Sequence, residues 1–576
     1  MEKTFLKFDG FLNKKEKIKL NFILFITSLS FILEFLSIAS IPLFFGLVTK
    51  NLLIIENLNE FLSIFNLELV IDNEIIIYIG ILIVLIFVSK NILLSFLLIY
   101  KNKFYENIKN RLSENIYSNF IYAEFENLLD FNPSNISRTI VSVQDVFLYI
   151  QSLVGLFKEI LAIFAIFLIL ILVNPQIVMI ISLLFSLITY GYFKFLKPFL
   201  KKAGEENQNL ISNIIKLLNE TFGSIKELRI LKKEEKIEEI FLRSVKNYNK
   251  NFFYYNVIQK FPKILLEVIF LTLLMGITIL FLKKDQNFIT LMPEIILYAI
   301  VSLRFIPAFN SLSTSFTYLK IGEAAVNVIF SDLKRLSLVN KVEKKLINNF
   351  EKEKNNNEYL LVENLKFRYP QSPADTIRSI NLKIDKGNKI AISGKSGSGK
   401  STLMHLMLSV LKPDSGNIYF KEKSIYDKSI NWFNKISYVS QSCYLLDASI
   451  ERNITFSFDK KIDKQKLTEA IKLANLGDFI KCQPSGINTF VGNDGIKISG
   501  GERQRIAIAR AIYKDSEIIF MDEFSSALDE KNEEIIFLNL LKIFKDKTII
   551  LISHRPNVIR YCDKNIIMKD GKLEIF

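Results

Sequence analysis

Long apolar segments fill the first part of the chain, whereas apolar and charged residues alternate from residue 341 onward. A helix rises about 1.5 Å per residue, so about 20 apolar residues cross the roughly 30 Å hydrocarbon core of a bilayer. Six stretches meet this requirement, at approximately 20–48, 75–100, 148–173, 176–200, 257–283 and 289–320. The pattern predicts a membrane domain of six α-helices followed by a water-exposed globular domain.

The charges beside the apolar segments predict how the chain crosses the membrane. Four lysines between positions 14 and 19 precede the first segment, whereas the loop 51–74 holds five carboxylates and neither Lys nor Arg. Lys and Arg accumulate on the cytoplasmic side of membrane helices. We therefore expect a multi-pass protein with both termini and the globular domain in the cytoplasm.

Two charged segments with a helical pattern, 101–147 and 201–256, are expected to extend the membrane helices into the cytoplasm. Turn residues interrupt them at 130–133 and at 223–224. Each interruption could present a short helix to a partner domain or form an ordinary loop. On the outer side, the apolar residues between 61 and 67 fit one helical face and predict a short interfacial helix.

Composition divides the chain into three parts. We expect a membrane domain at 1–335, a polar linker at 336–358 and a globular domain at 359–576. The net charge is +15 at pH 7, but Lys and Arg are scattered along the chain rather than gathered into one arm. Membrane topology explains this charge more simply than a nucleic-acid partner, so we expect no nucleic acid to bind.

A phosphate-binding motif follows a short apolar strand at 390–393. The loop consists of Gly394, Lys395, Ser396, Gly397, Ser398, Gly399, Lys400, Ser401 and Thr402, and it runs into a helical pattern. Strand, loop and helix in this order form the P-loop pattern. Its glycines let backbone N–H groups close around phosphate oxygens, Lys400 reaches the β- and γ-phosphates, and Ser401 is a ligand for Mg²⁺. ATP and Mg²⁺ are therefore the expected ligands.

A second apolar strand, 517–522, ends in two adjacent carboxylates, Asp522 and Glu523. Asp522 can hold Mg²⁺, and Glu523 stands where a base could orient or deprotonate an attacking water. Strand ends often carry solvated acids, so the pair alone indicates little. After a P-loop, the same pair predicts a site that hydrolyses a nucleotide.

The segment 498–505 resembles the signature that defines ABC ATPases, and the resemblance then covers the whole chain. It implies a P-loop α/β ATPase domain whose signature closes on ATP held by the P-loop of a second subunit. The partner would be a second copy of the chain or a paralogous half-transporter. The sequence departs from the family pattern at Ile498, where Leu is usual, and at Glu502, where Gln is usual. The signature residues placed at the nucleotide are Ser499, Gly500, Gly501 and Glu502.

Four further positions match the family pattern. Tyr369 resembles the aromatic residue that stacks on adenine, and an edge-strand aromatic is the alternative. Gln441 resembles the glutamine that contacts Mg²⁺, and Asp529 belongs to a loop like the one that communicates between the two ATP sites. His554 resembles the switch histidine at the γ-phosphate. With both Glu523 and His554 present, the resemblance implies an ATPase rather than a protein that only binds ATP.

Ionisable residues within membrane helices usually face a cavity or a partner. Lys90, Lys263 and Arg304 are candidates for binding an anionic substrate, although Lys263 can also pair with Glu267 four residues further on. The alternative is that these cations pair with acids on neighbouring helices or reach a surface.

The segments 261–267 and 303–310 look most like bacterial flippases of lipid-linked oligosaccharides. This resemblance implies a half-transporter of the ABC exporter type that flips an anionic lipid-linked oligosaccharide by alternating access. We expect it in the bacterial inner membrane, in contact with membrane lipids. An exporter of lipid A-like lipids, peptides or drugs stays open, and an ATP-gated channel or regulator is the remaining alternative.

Overall fold

A computed structural model describes residues 12–49, 73–129, 131–173, 175–282, 288–343, 359–369, 372–427, 430–458, 462–524 and 530–575. The chain forms two compact units. The first comprises Met1–Ala123 and Asn127–Leu346, and the second comprises Glu124–Glu126 and Ile347–Phe576. Three predicted features lie wholly or partly outside the described residues, namely the outer interfacial helix at 61–67, Asp529 and the linker beyond 343.

The described residues up to 343 form helices joined by short turns. The helices are α1 (Lys14–Val48), α2 (Asn73–Ile121), α3 (Phe125–Leu129), α4 (Pro133–Val141), α5 (Val143–Val173), α6 (Pro175–Gly223), α7 (Ile225–Ile230), α8 (Glu234–Leu282) and α9 (Phe288–Glu343). Six of them contain 31 to 56 residues each and cover the predicted apolar segments. Within the described residues, Lys14–Val48, Asn73–Ile121, Pro133–Ile171 and Ile295–Lys334 are long and apolar enough to cross a membrane. The prediction of a helical membrane domain is confirmed.

The helices break at both places where turn residues interrupt the pattern. At the first break, α4 begins with Pro133, and the Asn132 side chain accepts a hydrogen bond from the Ser134 N–H at 3.0 Å. Proline at the first position and asparagine as the cap favour a helix start. At the second break, α6 ends at Gly223 and the six-residue helix α7 follows Ser224.

Glycines bring α5 and α9 close together. A Cβ added at Gly322 would lie 2.6 Å from the Cβ of Tyr149, and one added at Gly155 would lie 2.7 Å from the Ser315 hydroxyl. Small residues let helix backbones approach closely, as is typical of helix contacts in membranes. The backbones of α5 and α9 therefore approach closely at these two glycines.

A ladder of buried polar contacts joins the helix extensions. The Asp332 carboxylate of α9 accepts a hydrogen bond from the Thr139 hydroxyl of α4 at 2.6 Å. The Gln208 side chain of α6 connects Ser142 to Asp145 at 2.7 and 2.8 Å. These side chains are therefore hydrogen-bonded to one another where they are buried between the extensions.

The second unit contains two β-sheets with helices around them. Its strands are β1 (Leu360–Phe367), β2 (Ile377–Ile384), β3 (Lys389–Ser393), β4 (Ser415–Phe420), β5 (Lys423–Ser424), β6 (Ile436–Val439), β7 (Ile518–Asp522), β8 (Thr548–Ile552), β9 (Lys564–Lys569) and β10 (Lys572–Ile575). Its helices are α10 (Lys400–Met407), α11 (Trp432–Lys435), α12 (Ile450–Thr455), α13 (Lys464–Leu473), α14 (Gly477–Lys481), α15 (Gly500–Lys514), α16 (Glu530–Ile543) and α17 (Pro556–Ile559). The predicted α/β class is confirmed.

The sheet topology places the carboxyl ends of five parallel strands at one edge. The first sheet is antiparallel, in the order β2-β1-β4-β5, and the second has the order β10-β9-β3-β8-β7-β6. In the second sheet, β9, β3, β8, β7 and β6 are parallel. Strands β7 and β8 are buried at every residue, so side chains pack on both faces. Ligands of such sheets bind beyond the carboxyl ends of the strands, where the candidate residues lie.

A cluster of hydrogen bonds around Glu517 joins the two sheets. The carboxylate accepts hydrogen bonds from Lys435 at 2.7 Å, Lys421 at 2.9 Å and the Tyr359 hydroxyl at 3.1 Å. Tyr359 immediately precedes β1 and Lys421 follows β4, whereas Glu517 immediately precedes β7. We call these four residues the Glu517 clamp.

Candidate nucleotide site

The P-loop connects the end of β3 to the start of α10, as predicted. Gly394, Gly397 and Gly399 have φ values of +140°, +79° and +102°, a region that suits glycine. The Lys400 ammonium group crosses the loop and donates to the carbonyl oxygens of Gly394 and Lys395, at 2.8 and 2.9 Å. These contacts close the loop around a space that faces the first turn of α10.

The loop fits a phosphate group. Lys395, Ser396 and Gly397 are exposed at the tip of the loop, and the Ser398 hydroxyl is buried with no hydrogen-bond partner among the described residues. A helix N-terminus attracts anions because its N–H groups and dipole point at them. The chain thus supplies the loop, the cation and the helix end that phosphate binding needs.

Residues of the β9–β10 hairpin pack against the P-loop, a contact that the sequence did not predict. A Cβ at Gly394 would lie 2.2 Å from the Met568 carbonyl oxygen of β9, so only glycine fits there. The Gly571 N–H, in the turn between β9 and β10, donates to the Ser398 carbonyl oxygen at 3.2 Å. An Asp-Gly pair between two apolar runs is a hairpin signal, but its position beside the P-loop depends on the strand order.

Asp522 ends β7 next to the P-loop helix. Burial raises the pKa of its carboxyl and the neighbouring Glu523 adds to this, whereas His405, a hydrogen bond with Ser401 and Lys400 oppose the shift. Within the described part of the chain, no group of three or more His, Cys, Asp or Glu side chains could hold a metal alone. One carboxylate and one hydroxyl suit Mg²⁺, which usually completes its shell with water and substrate phosphates.

Glu523 lies between Gln441 and His554. The Gln441 amide donates to the Glu523 carboxylate at 2.6 Å, and the His554 Nε2 lies 3.8 Å from its other oxygen. Glu523 has a φ of +42°, and its N–H donates to the Ile552 carbonyl oxygen of β8 at 3.1 Å. A non-glycine residue in this left-handed region is uncommon and often marks a functional position. The structure therefore brings together three predicted residues that are distant in sequence.

Tyr369 stands beside the P-loop helix. Its hydroxyl lies 3.3 Å from the Thr402 hydroxyl, and its ring packs edge-on against Phe367 with the centroids 5.0 Å apart. A partly buried ring near the P-loop suits contact with a base, and it equally suits the edge-strand alternative. Its position is compatible with both interpretations.

The signature residues form the start of α15. The Ser499 hydroxyl accepts from the Glu502 N–H at 3.3 Å, and the Glu502 carboxylate accepts from the Ser499 N–H at 2.7 Å. This reciprocal pair is a capping box. Gly500 and Gly501 begin the helix, so an N-terminus is presented there. Ser499 is the N-cap, and Glu502, one of the two positions that depart from the family pattern, completes the capping box as the third residue of the helix.

The three membrane cations differ in their partners. Lys263 lies 3.6 Å from Glu267 on its own helix, whereas Arg304 lies 3.7 Å from Glu34 on α1. The Lys90 ammonium group is buried, contacts the Ser37 hydroxyl at 3.4 Å and has no carboxylate within 4.0 Å among the described residues. Pairing between helices, the alternative considered for these cations, thus applies to Arg304.

Comparisons with known families agree with this architecture. The family described as "ABC transporter transmembrane region" matches residues 23–319, and the family described as "ABC transporter" matches residues 377–526. The bacterial Atm1-family ABC exporter with ATP bound has the same fold, with a TM-score of 0.70 at 16% identity over 97% of this chain and 94% of that one.

Two relatives align with about a third of the chain. The leukotoxin translocation ATP-binding protein LktB of Mannheimia haemolytica is 39% identical over 216 residues, 37% of this chain and 30% of that protein. The ATP-dependent lipid A-core flippase of Salmonella paratyphi A is 35% identical over 209 residues, 36% of each protein. The chain thus spans about a third of the length of these relatives. With a matched membrane region and a matched ATPase domain, this chain belongs to the ABC transporter family.

Proposed function

We propose that this chain is half of an ABC exporter, assembles as a homodimer and uses ATP hydrolysis to move an anionic amphipathic substrate outward. The observation that carries the proposal is the group formed by Gln441, Glu523 and His554 at the edge of the P-loop sheet. The relatives that carry out translocation and lipid flipping add support.

The chemistry follows from the positions of these side chains. Glu523 would orient and deprotonate the attacking water. His554, which lies beside the Glu523 oxygen that Gln441 does not contact, would contact the γ-phosphate. Lys400 would leave the loop carbonyls to bind phosphate oxygens. Mg²⁺, held by Ser401, Asp522 and Gln441, would neutralise charge that develops on the phosphates.

In this proposal, ATP binding closes two ATPase domains and hydrolysis separates them again, so the membrane domain alternates between inward and outward access. The short helices α3 and α7 would transmit closure to the membrane helices. Within the second unit, the Lys412 ammonium lies 2.6 Å from Glu124, just before α3.

The hydrolytic assignment predicts that Glu523→Gln binds ATP but turns it over at least about 100-fold more slowly, because general-base catalysis contributes about 10² to 10⁴. ATPase activity and nucleotide affinity of the purified protein in nanodiscs measure the two effects separately. Lys400→Ala is the matched control and should lose phosphate binding itself. Wild-type turnover in Glu523→Gln would refute the base assignment.

For the substrate, we propose an anionic lipid-linked oligosaccharide bound near Lys90, Lys263 and Arg304. Lys263 and Arg304 are each paired with one carboxylate, and Lys90 has none within 4.0 Å among the described residues, so one positive charge of the three is left without a paired acid. Charged groups in this position attract phosphate. Lipid A-like lipids, peptides and drugs are the alternative cargoes, and a channel would pass ions without moving cargo in proportion to ATP.

Lys90→Gln, Lys263→Gln and Arg304→Gln should each reduce flipping of a polyprenyl-pyrophosphate oligosaccharide in liposomes without lowering basal ATPase activity. Lys158→Gln, at a membrane cation that pairs with Glu159 at 3.3 Å, is the control. If all three variants flipped the lipid as fast as the wild type, these three cations would not bind the substrate. If the protein hydrolysed ATP but did not flip this lipid, the exporter assignment would stand and the substrate would have to be sought among other lipids, peptides and drugs.

A further inference from the structure

An exposed group of aromatic rings lies across α1 and α2. Phe22 of α1 meets Tyr100 of α2 edge-on with the ring centroids 5.7 Å apart, and Phe96 stacks on Tyr100 at 6.3 Å. Phe22 is 46% exposed and Phe96 is 56% exposed. We call Phe22, Phe96 and Tyr100 the aromatic triad. The Phe22 and Phe96 rings are exposed, whereas Tyr100 is half-buried and packs against the core of the helical unit.

Two lysines lie one turn from the triad, at the same end of both helices. Lys19 precedes Phe22 by three residues, and Lys103 follows Tyr100 by three, so each lysine shares a helix face with a triad ring. The helices are antiparallel, because the contacts along them are Glu16–Arg111, Phe22–Tyr100, Ser37–Lys90 and Phe44–Gly80. Measured along the helix axes, each lysine is therefore displaced by about 4.5 Å from the triad residue on its own helix. Both are displaced in the same direction, towards the Glu16–Arg111 contact.

The charge around these lysines is not balanced. Arg111 binds the Glu16 carboxylate through two hydrogen bonds, at 2.7 and 2.8 Å, so this nearby acid is already neutralised. Lys19 and Lys103 are exposed, and neither has a carboxylate within 4.0 Å in the described ranges. Lys14 and Lys15, also exposed, add further positive charge at this end of α1.

We propose that the aromatic triad, Lys19 and Lys103 form a binding site for the head group of an anionic phospholipid. Aromatic rings favour the membrane interface, where they contact the glycerol region, and lysines just beyond them attract phosphate. The phosphate lies between the two ammonium groups, and the lipid chains run along the exposed apolar face of α1 and α2. The site goes beyond the transport proposal and requires only that this end of α1 faces the cytoplasmic leaflet.

Native mass spectrometry of the full chain, titrated with phosphatidylglycerol or phosphatidylcholine, tests the site. In Lys19→Gln/Lys103→Gln, phosphatidylglycerol affinity should fall about fivefold for each lysine removed, while phosphatidylcholine affinity stays unchanged. Lys19→Arg/Lys103→Arg should retain the preference for phosphatidylglycerol, since the charge is kept. Phe22→Leu/Phe96→Leu should weaken binding of both lipids, because the rings contact the part that they share.

The matched control removes two charges elsewhere. Lys246 and Lys250 are exposed on α8, so Lys246→Gln/Lys250→Gln loses the same charge on another helix and should bind both lipids as the wild type does. Unchanged phosphatidylglycerol affinity in Lys19→Gln/Lys103→Gln would overturn the proposal. An equal loss in the control would also overturn it, because the effect would then be one of net charge. Unaltered basal ATPase activity verifies that each variant is folded.

Discussion

Glu502 places a carboxylate at the first turn of α15, where the family resemblance positions the γ-phosphate of ATP. Its oxygen accepts the Ser499 N–H at 2.7 Å, which stabilises the start of the helix. Negative charge at a helix N-terminus is favourable in itself, but it also competes with an anionic ligand for the same dipole. The residue therefore strengthens the helix and weakens phosphate binding at the same time.

Glu502→Gln should raise the affinity for ATP about two- to fivefold, because it removes a charge interaction of about 0.3–1 kcal/mol and leaves an amide oxygen to cap Ser499. Nucleotide titration of the Glu523→Gln protein, with and without the second change, measures the effect without turnover. Glu502→Ala is the control that loses both charge and cap, and it should lower the melting temperature. Equal ATP affinities with and without the Glu502→Gln change would show that the carboxylate does not act on ATP.

Residues in one continuous motif could be predicted from the sequence, whereas their partners could not. The P-loop is a single segment, so its strand, loop and helix follow from the pattern itself. The hydrogen bond between Gln441 and Glu523 joins residues 82 positions apart, and the pair of Arg304 with Glu34 joins two helices. Such contacts depend on strand order and helix packing, about which single-residue patterns carry little information.

Among the elements, the Glu517 clamp connects parts of the chain that are far apart in sequence. Burial would raise the pKa of Glu517, but hydrogen bonds from Lys435, Lys421 and Tyr359 outweigh it and lower the pKa to about 2. The folded-state pKa is thus below the ordinary value of 4.5. The clamp therefore stabilises the fold above pH 4.5, and this contribution is lost as the pH falls from 4.5 towards 2.

Glu517→Gln should destabilise the ATPase unit at pH 7 by about 1 kcal/mol, a figure reduced for the solvent that reaches this carboxylate. Thermal unfolding of the full protein at pH 7 and at pH 3.5 measures the difference. The gap between variant and wild type should narrow at the lower pH, because at pH 3.5 the carboxyl is mostly protonated in the unfolded wild type and still ionised in the folded one. A gap of equal size at both pH values would indicate lost packing rather than a lost charge.

Helix lengths were predicted from two signals. The apolar run at 75–100 predicts the membrane part of α2, and the helical pattern of the charged segment 101–147 predicts its extension, which runs to Ile121 with no glycine or proline after residue 100. The end of α9 was not predicted, because this helix runs to Glu343, into the range expected for the linker. Hydrophobicity marks the membrane boundary, whereas a helix ends where capping and turn residues allow it.

At the scale of the whole molecule, the proposed site is shared between two chains. The P-loop of one chain would face Ser499 of its partner, so cysteines placed at Ser396 and Ser499 should cross-link two chains when ATP is bound. The test is carried out on Ser396→Cys/Ser499→Cys/Cys482→Ser, since Cys482 is the exposed native thiol among the three cysteines. Denaturing gels of oxidised liposomes should contain a band of twice the chain mass.

The matched control, Ser396→Cys/Cys482→Ser, carries only one of the two introduced thiols and should stay monomeric on the same gels. Absence of the double-mass band in the paired variant, with ATP binding intact, would contradict the shared site. Cross-linking to a co-expressed paralogue instead of a second copy would replace the homodimer by a heterodimer.

The P-loop is packed against a hairpin, β9–β10, that is synthesised long after the loop itself. β3 would be an edge strand without β9, and the P-loop would lose the Met568 and Gly571 backbone contacts behind it. Both partners are translated more than 160 residues after the P-loop. Domains fold as units during synthesis. On the ribosome, the membrane helices therefore precede the ATPase domain, and the P-loop at first lacks its contacts with β9 and Gly571. We therefore expect the P-loop to reach its folded form only after residues 564–575 have been translated.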